Sequence, residues 1–369
     1  MDDPNTLDKM EDWGLPDEAS QEQFFTNDDY CDYYRIVVDP KQSPIRIDKF
    51  LLDRMTKISR NRIQNAIRAG SILVDDKNIK PNYKIRPGDV INMILPKPPG
   101  EGARIQPQNI PLDIRYEDED LLVLHKPAGL VVHPGIGHSK GTLVNALAYH
   151  FHHDLPVLEG NQSDRLGLVH RIDKNTSGLM VVAKNEYAMA HLAKQFFYHT
   201  IDRLYLALVW GQPEPVEGTI SSHIGRHPRF RKRMTTFEEG EQGKWAVTHY
   251  KVLEPMYYVS LVECALETGR THQIRVHLES LGHSLFNDEK YGGAEILKGT
   301  IFSKYKQFVH NCFEIMPRHA LHARVLGFEH PRTGERMYFE SELPEDFKGV
   351  LEKWRHYLQY RKQLLDEQS

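Results

Sequence analysis

One acid in this chain sits among bases in a pattern that could serve chemistry. Residues 168–184 read LVHRIDKNTSGLMVVAK, so Asp173 has His170, Arg171 and Lys174 close in sequence and an apolar run after it. Nearby cations keep a carboxylate ionised and available as a nucleophile or base. Thr176, Ser177 and Gly178 offer turn geometry and hydroxyl or backbone donors to orient it. A lone acid of this kind is more often a structural ion pair than a catalyst, so residue types alone leave both readings open.

Other chemistries find little support. There is no GxGxxG and no GxxxxGK[ST] string, which leaves no dinucleotide or P-loop fingerprint. YHFHHD at 149–154 gathers histidines without a carboxylate or cysteine at ligand spacing, and no metal site is expected. The three cysteines, Cys31, Cys264 and Cys312, are far apart and form no CxxC pair, so neither a disulfide framework nor a thiolate zinc site is expected. The N-terminus is too acidic for a signal peptide and no apolar run is long enough for a membrane span. These features fit a soluble, cytoplasmic protein without membrane association.

Charge is unevenly divided over the 369 residues. Residues 1–34 hold eleven acids and one base, Lys9, and are expected to be a solvated, disordered tail. Residues 35–98 hold fourteen Lys/Arg against six Asp/Glu, a net of +8 that suits contact with phosphates. The overall net charge of -4 hides this block.

The elements that would position these groups fall into two units. In IRIDKFLLDRM, Ile47, Phe50, Leu51 and Met55 have helical spacing. Ser59 can cap a second helix from Arg60 to Ala69, with Gly70 as its stop. That helix sets Ile63 and Ile67 on one stripe, with Arg60, Arg62 and Arg68 projecting elsewhere. The runs SILVDD and DVINMILP then read as strands joined through NIKPNYKIRPGD. Two helices followed by a hairpin and an RPGD turn resemble the S4 RNA-binding fold, and the unit is placed at 35–97. A Pro/Gly-rich linker is expected over 98–111, and a mixed α+β domain, with no tandem repeat, over 112–360. Within it, helices are expected at Asn185 to His199, with Met189, Leu192 and Phe196 on one stripe. A second is expected at Thr271 to Leu281, with Ile274, Leu278 and Leu281 on one stripe.

HRIDKNTSG closely resembles the HRLDxxTSG signature of the RluA/RluD-type RNA pseudouridine synthases, with Ile172 for the usual leucine. In matching order the chain also has HKPAGLVVHPG (125–135), RLYLALVWG (203–211), TGRTHQIRVHLESLGH (268–283), DEKYGG (288–293) and HALHA (319–323), each like a block of that family. The resemblance spans about 112–345 and, with the S4-like unit, is nearest the RluD branch. It implies a mainly antiparallel pseudouridine synthase fold and a cofactor-free isomerisation of uridine in RNA. The substrate would be large-subunit ribosomal RNA or a pre-ribosomal particle, and the protein a monomer.

The resemblance also implies residue roles. Asp173 would be the essential aspartate, Tyr205 would stack on the uracil and could serve in proton transfer, and Arg275 would pair with Asp173 in the cleft. Arg171 would fill the gap left by a flipped-out base, with His170 beside it as an RNA contact. Whether the carboxylate acts at C1′, at C6 or on the C2′ proton stays open. Lys126, Pro127, Thr176, Ser177 and Gly178 are read as shaping the cleft. Arg46, Lys49, Arg60, Arg62 and Arg68 in the first unit are read as RNA contacts. So are Arg229, Arg231, Lys232 and Arg233 of the RHPRFRKRM run.

Rival readings are a surface Arg275 paired with Glu279 four residues on, a non-catalytic ribosome assembly factor, and an enzyme acting on transfer RNA. The HRD loop of protein kinases is excluded, because its aspartate directly follows arginine and neither the Gly-rich loop nor DFG is present.

Overall fold

Apolar spacing accounts for the first two helices, and a side-chain cap adds to the second. The computed structural model describes residues 22–25, 31–55, 58–96, 105–133, 140–151, 167–238 and 242–366, and places α1 at Ile47–Arg54 and α2 at Arg60–Arg68. Ser59 accepts a hydrogen bond from the Arg62 amide at 3.2 Å, a cap worth about 1 kcal/mol. Gly70 takes φ +67° and the Ser71 amide donates to the Ala66 carbonyl at 2.9 Å, which closes the helix in Schellman fashion. Phe50, Leu51, Ile63 and Ile67 are buried, each contributing about 1.5–3 kcal/mol relative to exposure.

These helices cover an antiparallel sheet in the order β1-β2-β5-β3-β4, with β1 at Glu22–Phe25, β2 at Cys31–Val37, β3 at Ile72–Val74, β4 at Lys77–Asn78 and β5 at Val90–Pro96. The acidic tail expected across 1–34 is therefore interrupted by two strands. Charge counting hides the pattern of CDYYRIV, whose Cys31 and Tyr33 are buried and which pairs with β5 from Cys31 to Val37. The short β4 is a further addition to the expected elements. Asp75 and Asp76 both have positive φ, 48° and 59°, and form the two-residue turn of a β3–β4 hairpin. Of the expected linker, residues 98–104 lie outside the described residues.

The larger sheet runs β11-β10-β12-β13-β9-β14-β8-β7-β6, with β15 paired to β14. Its strands are β6 (Asp113–Glu117), β7 (Leu121–Lys126), β8 (Ser177–Ala183), β9 (Asp202–Trp210), β10 (Glu217–Arg226), β11 (Met234–Phe237), β12 (Lys244–Met256), β13 (Val259–Leu266), β14 (Leu321–Glu329) and β15 (Arg336–Glu340). Among these strands only the β8–β14 pairing is parallel. The mixed α+β, mainly antiparallel reading is thus the observed architecture.

The continuous apolar runs of the central strands follow from coverage on both faces. In β8, Met180 and Val182 point into one core with Tyr205, Ala207, Ile274 and Leu278, while Leu179 and Val181 point into another with Leu192 and Phe196. The helices that cover these faces are α3 (Leu143–His150), α4 (Glu186–Phe197), α5 (Gln273–Ser280), α6 (Ser303–Ile315) and α7 (Glu345–Asp366). No helix among the described residues is long and apolar enough to cross a membrane.

Helix α4 also joins the two units. Ala190 is part of the core that α1 and α2 form with the small sheet, and Tyr187 packs against it. Ser71 Oγ donates to the Ala190 carbonyl at 3.0 Å and Asn65 Nδ2 to Glu186 at 3.1 Å.

Candidate active site

The loop before β8 holds Asp173 in a turn that the Thr176 amide closes on the Asp173 carbonyl at 3.1 Å. Its floor is braced from behind. Thr176 Oγ1 and His319 Nε2 are hydrogen-bonded at 2.9 Å, as are Ser177 Oγ and His322 Nδ1. Arg318 donates to the Asn175 carbonyl at 2.8 Å while Asp346 of α7 holds its guanidinium from the other side at 2.7 and 3.0 Å. Gly178 is required where it stands. Its φ is +124°, and a Cβ there would meet the Ala323 carbonyl oxygen of β14 at 2.1 Å.

Lys126 supports the same loop. It is wholly buried, and its Nζ donates to the carbonyls of Pro127, Leu130 and Lys174 at 2.8, 2.9 and 3.0 Å. Burial pushes its pKa down to about 7 against the attraction of Asp173. Three carbonyl acceptors match the three N–H groups of an ammonium, and a neutral amine would donate only two, so this cage favours the charged form. Pro127 itself is exposed on the turn that Lys126 fixes.

Asp173 faces a cleft lined by Arg171, Tyr205, Arg203, Leu266, Gln273 and Arg275, enclosing about 640 Å³ with its open side included. The Asp173 side chain is 18% exposed. Burial alone would raise its pKa, but His272, Arg275 and His319 outweigh that and hold it well below the usual carboxylate range. Burial lowers His272 and His319 to about 4, so at neutral pH Arg275 is the charged member of the three. Tyr205 is buried in the same core, and burial raises its phenol pKa.

Arg275 donates from Nη1 to Asp173 Oδ2 at 2.8 Å, and from Nε and Nη2 to the two oxygens of Asp288 at 2.7 and 2.8 Å. The alternative pairing with Glu279 does not occur, because Glu279 binds Arg233 at 3.0 Å. The expected helix Thr271 to Leu281 is shorter at both ends. His272 takes the left-handed conformation, φ 60°, as N-cap of α5, and Leu281 is exposed. A non-glycine residue there costs on the order of 1–3 kcal/mol. Gln273 compensates by accepting from Thr268 Oγ1 and the Arg270 amide and donating to Val247 and Thr248. The bend sets His272 Nε2 3.9 Å from Asp173 Oδ2.

Several expected RNA contacts find other partners. His170 is buried, stacks on Phe196 and accepts from the Val181 amide at 3.0 Å; burial lowers its pKa to about 3. A neutral, buried acceptor braces the cleft wall and offers a phosphate no charge. Arg62 is half-buried and donates to the Pro96 carbonyl. Arg46 and Arg60 converge on the buried Asp48, at 2.8 and 2.9 Å, and Gln64 joins them. Arg233 pairs with Glu279 and lies over the Tyr291 ring. Lys49, Arg68, Arg171, Arg229, Arg231 and Lys232 are exposed. In YHFHHD, His150 bonds Glu117 at 2.9 Å, and residues 152–154 lie outside the described residues.

Asp118, Asp120 and His330 bring ligand-type atoms within 4.8 Å of one another. Their atoms are already used. Asp118 accepts from Tyr116 and pairs with His330, and Asp120 holds Arg332 at 2.6 Å. Asp288, Tyr291 and His319 do not stand out by residue type. Their signal lies in the DEKYGG and HALHA blocks, whose chemistry depends on contacts that only folding creates.

A ten-stranded sheet with a charged aspartate in an arginine-lined cleft, joined to a small helical and stranded unit, has clear relatives. Residues 120–280 match the model of the RNA pseudouridylate synthase family, and residues 45–91 that of the S4 domain. The chain is 46% identical over 319 residues to an uncharacterized RNA pseudouridine synthase of Chlorobaculum parvum, covering 86% of this chain and 96% of that protein. It is 43% identical over 309 residues to a ribosomal large subunit pseudouridine synthase D of Zymomonas mobilis, covering 82% and 92%. A solved structure, human RNA pseudouridylate synthase domain containing 4, is 27% identical, with 66% of this chain and 92% of that one covered and a TM-score of 0.48. The chain belongs to the RNA pseudouridine synthase family and carries an S4 domain.

Proposed function

We propose that this enzyme isomerises uridine to pseudouridine in large-subunit ribosomal RNA, using Asp173 and no cofactor. The observation that carries the chemical part is the Asp173 carboxylate. It is held ionised by Arg275 at the mouth of a cleft that also presents Tyr205. An anion fixed in this way can act on a ribose or base without waiting for a proton to leave. In this reading Tyr205, which lines the cleft, stacks on the flipped base, and exposed Arg171 occupies the space the base leaves.

The target rests on likeness. Relatives named ribosomal large subunit pseudouridine synthase D occur in Zymomonas mobilis and Nitrosomonas europaea, at 43% and 40% identity. The S4 domain adds basic side chains for contact with RNA phosphates: Lys49 and Arg68 are exposed, and Arg46 and Arg60 are held by Asp48.

The test is to incubate purified protein with unmodified large-subunit rRNA, small-subunit rRNA and transfer RNA, and to map pseudouridine in each. Product confined to large-subunit rRNA is expected. Product confined to transfer RNA would overturn the assignment of the target and leave the chemistry standing.

A further inference from the structure

We propose that Asp288 is a positioning residue for the reaction, which holds Arg275 in the one orientation that brings its guanidinium onto Asp173. This rests on the reading of Asp173 as the catalytic carboxylate. An arginine side chain is long and flexible, and left alone it would exchange among rotamers and between partners. Asp288 removes that freedom by accepting from Nε and Nη2 together, at 2.7 and 2.8 Å. Only the Nη1 edge is left to face Asp173.

Asp288 is itself immobilised. It is 1% exposed, and its Oδ1 accepts from the amides of Lys290 at 3.0 Å and Tyr291 at 3.2 Å, so it caps its own turn. The same turn delivers Tyr291. The Tyr291 ring lies 4.8 Å from the Arg275 guanidinium, and its hydroxyl is 2.7 Å from His272 Nδ1. One four-residue segment therefore sets both side chains that approach Asp173 from α5.

The effect of Asp288 on Asp173 cannot be one of charge. A second carboxylate on the far side of Arg275 offsets part of the cation's field and opposes ionisation of Asp173. Removing the Asp288 charge would leave Asp173 at least as ionised as before. What Asp288 contributes is geometry, and misplacement of a reacting group by about 1 Å costs on the order of 10²-fold in rate.

Asp288→Asn in the full-length protein keeps an oxygen for the turn amides and loses one acceptor for the guanidinium. Single-turnover pseudouridine formation is expected to slow on the order of 10²-fold, with RNA affinity unchanged. In an Arg275→Met background the same substitution should cost no further rate, and it should raise the thermal midpoint by discharging a stranded buried carboxylate. A wild-type rate for Asp288→Asn, or two losses that multiply, would overturn the proposal. Should Asp288→Asn fail to fold, Arg275→Lys answers the same question, since a lysine cannot fork between the two acids. It should be slow, and a wild-type rate would overturn the proposal. Full activity in Asp173→Asn would instead sink the underlying reading of the site.

Discussion

Thr176 Oγ1 lies 2.9 Å from His319 Nε2, a contact between groups 143 residues apart in the chain. It ties the loop that presents Asp173 to the segment leading into β14. Both groups are buried, so neither has water as a substitute partner. Thr176→Val keeps the shape and strands the imidazole nitrogen, at a cost of about 1–3 kcal/mol. The expected result is a lower thermal midpoint and slower turnover at unchanged RNA affinity. Unaltered stability would show that the contact adds nothing.

Lys126 is the second brace. Lys126→Met fills similar space but leaves the carbonyls of Pro127, Leu130 and Lys174 without this donor. The Lys174 carbonyl keeps the Gly129 amide as a donor at 2.8 Å, and for the other two the loss is about 1–3 kcal/mol each where water does not replace it. Chemical denaturation should show a loss of several kcal/mol with the slope preserved, and single-turnover assays a slower reaction. A variant as stable as the parent would contradict the caged-ammonium reading.

Acid should weaken the fold through its buried histidines. His277 bridges Thr248 and Ser222, and burial lowers its pKa from 6.5 to about 4. As pH falls below 6.5 the unfolded chain takes up a proton there before the folded chain does. Stability is therefore lost between about 6.5 and about 4 and is insensitive to this group above that window. His272 and His319 act in the same direction. Thermal melts across this range should fall with acid, and His277→Gln should make the fall shallower. An identical slope in the variant would refute the assignment.

The S4 arginines predict a salt effect. Arg46 and Arg60 are both fixed by Asp48, and both remain more than a third exposed. Replacing both with glutamine should weaken RNA binding and reduce the slope of log affinity against log salt by about 1 for every phosphate that is no longer neutralised. An unchanged slope would remove them from the interface. Point variants are preferable to deleting residues 1–97, since deletion would uncover Ala190 and the rest of the α4 face.

Contiguous signals are the legible ones. Ser59, the Ile63/Ile67 stripe and Gly70 define α2 almost to the residue, because caps and periodicity act locally. The Asp173 loop stands out for the same reason. Arg275 is reached through family likeness, whereas Asp288 and His319 are joined to it or to the Asp173 loop only by tertiary contact. His170 turns inward, against the Phe196 ring and the Val181 amide, whereas its sequence neighbour Arg171 is exposed, a difference that adjacency in sequence does not reveal. The left-handed His272 interrupts a helical pattern that periodicity alone would continue. Strand β2 disappears in a count of acids, since net charge says nothing of alternation.

The most direct measurement is pseudouridine formation by Asp173→Asn on unmodified large-subunit rRNA, beside its affinity for the same RNA. Asparagine preserves size and removes the charge that Arg275 holds in place. No pseudouridine, with RNA bound as tightly as by the parent, is the expected result. Pseudouridine accumulating at the parental rate would contradict the assignment of Asp173 as the group that does the chemistry.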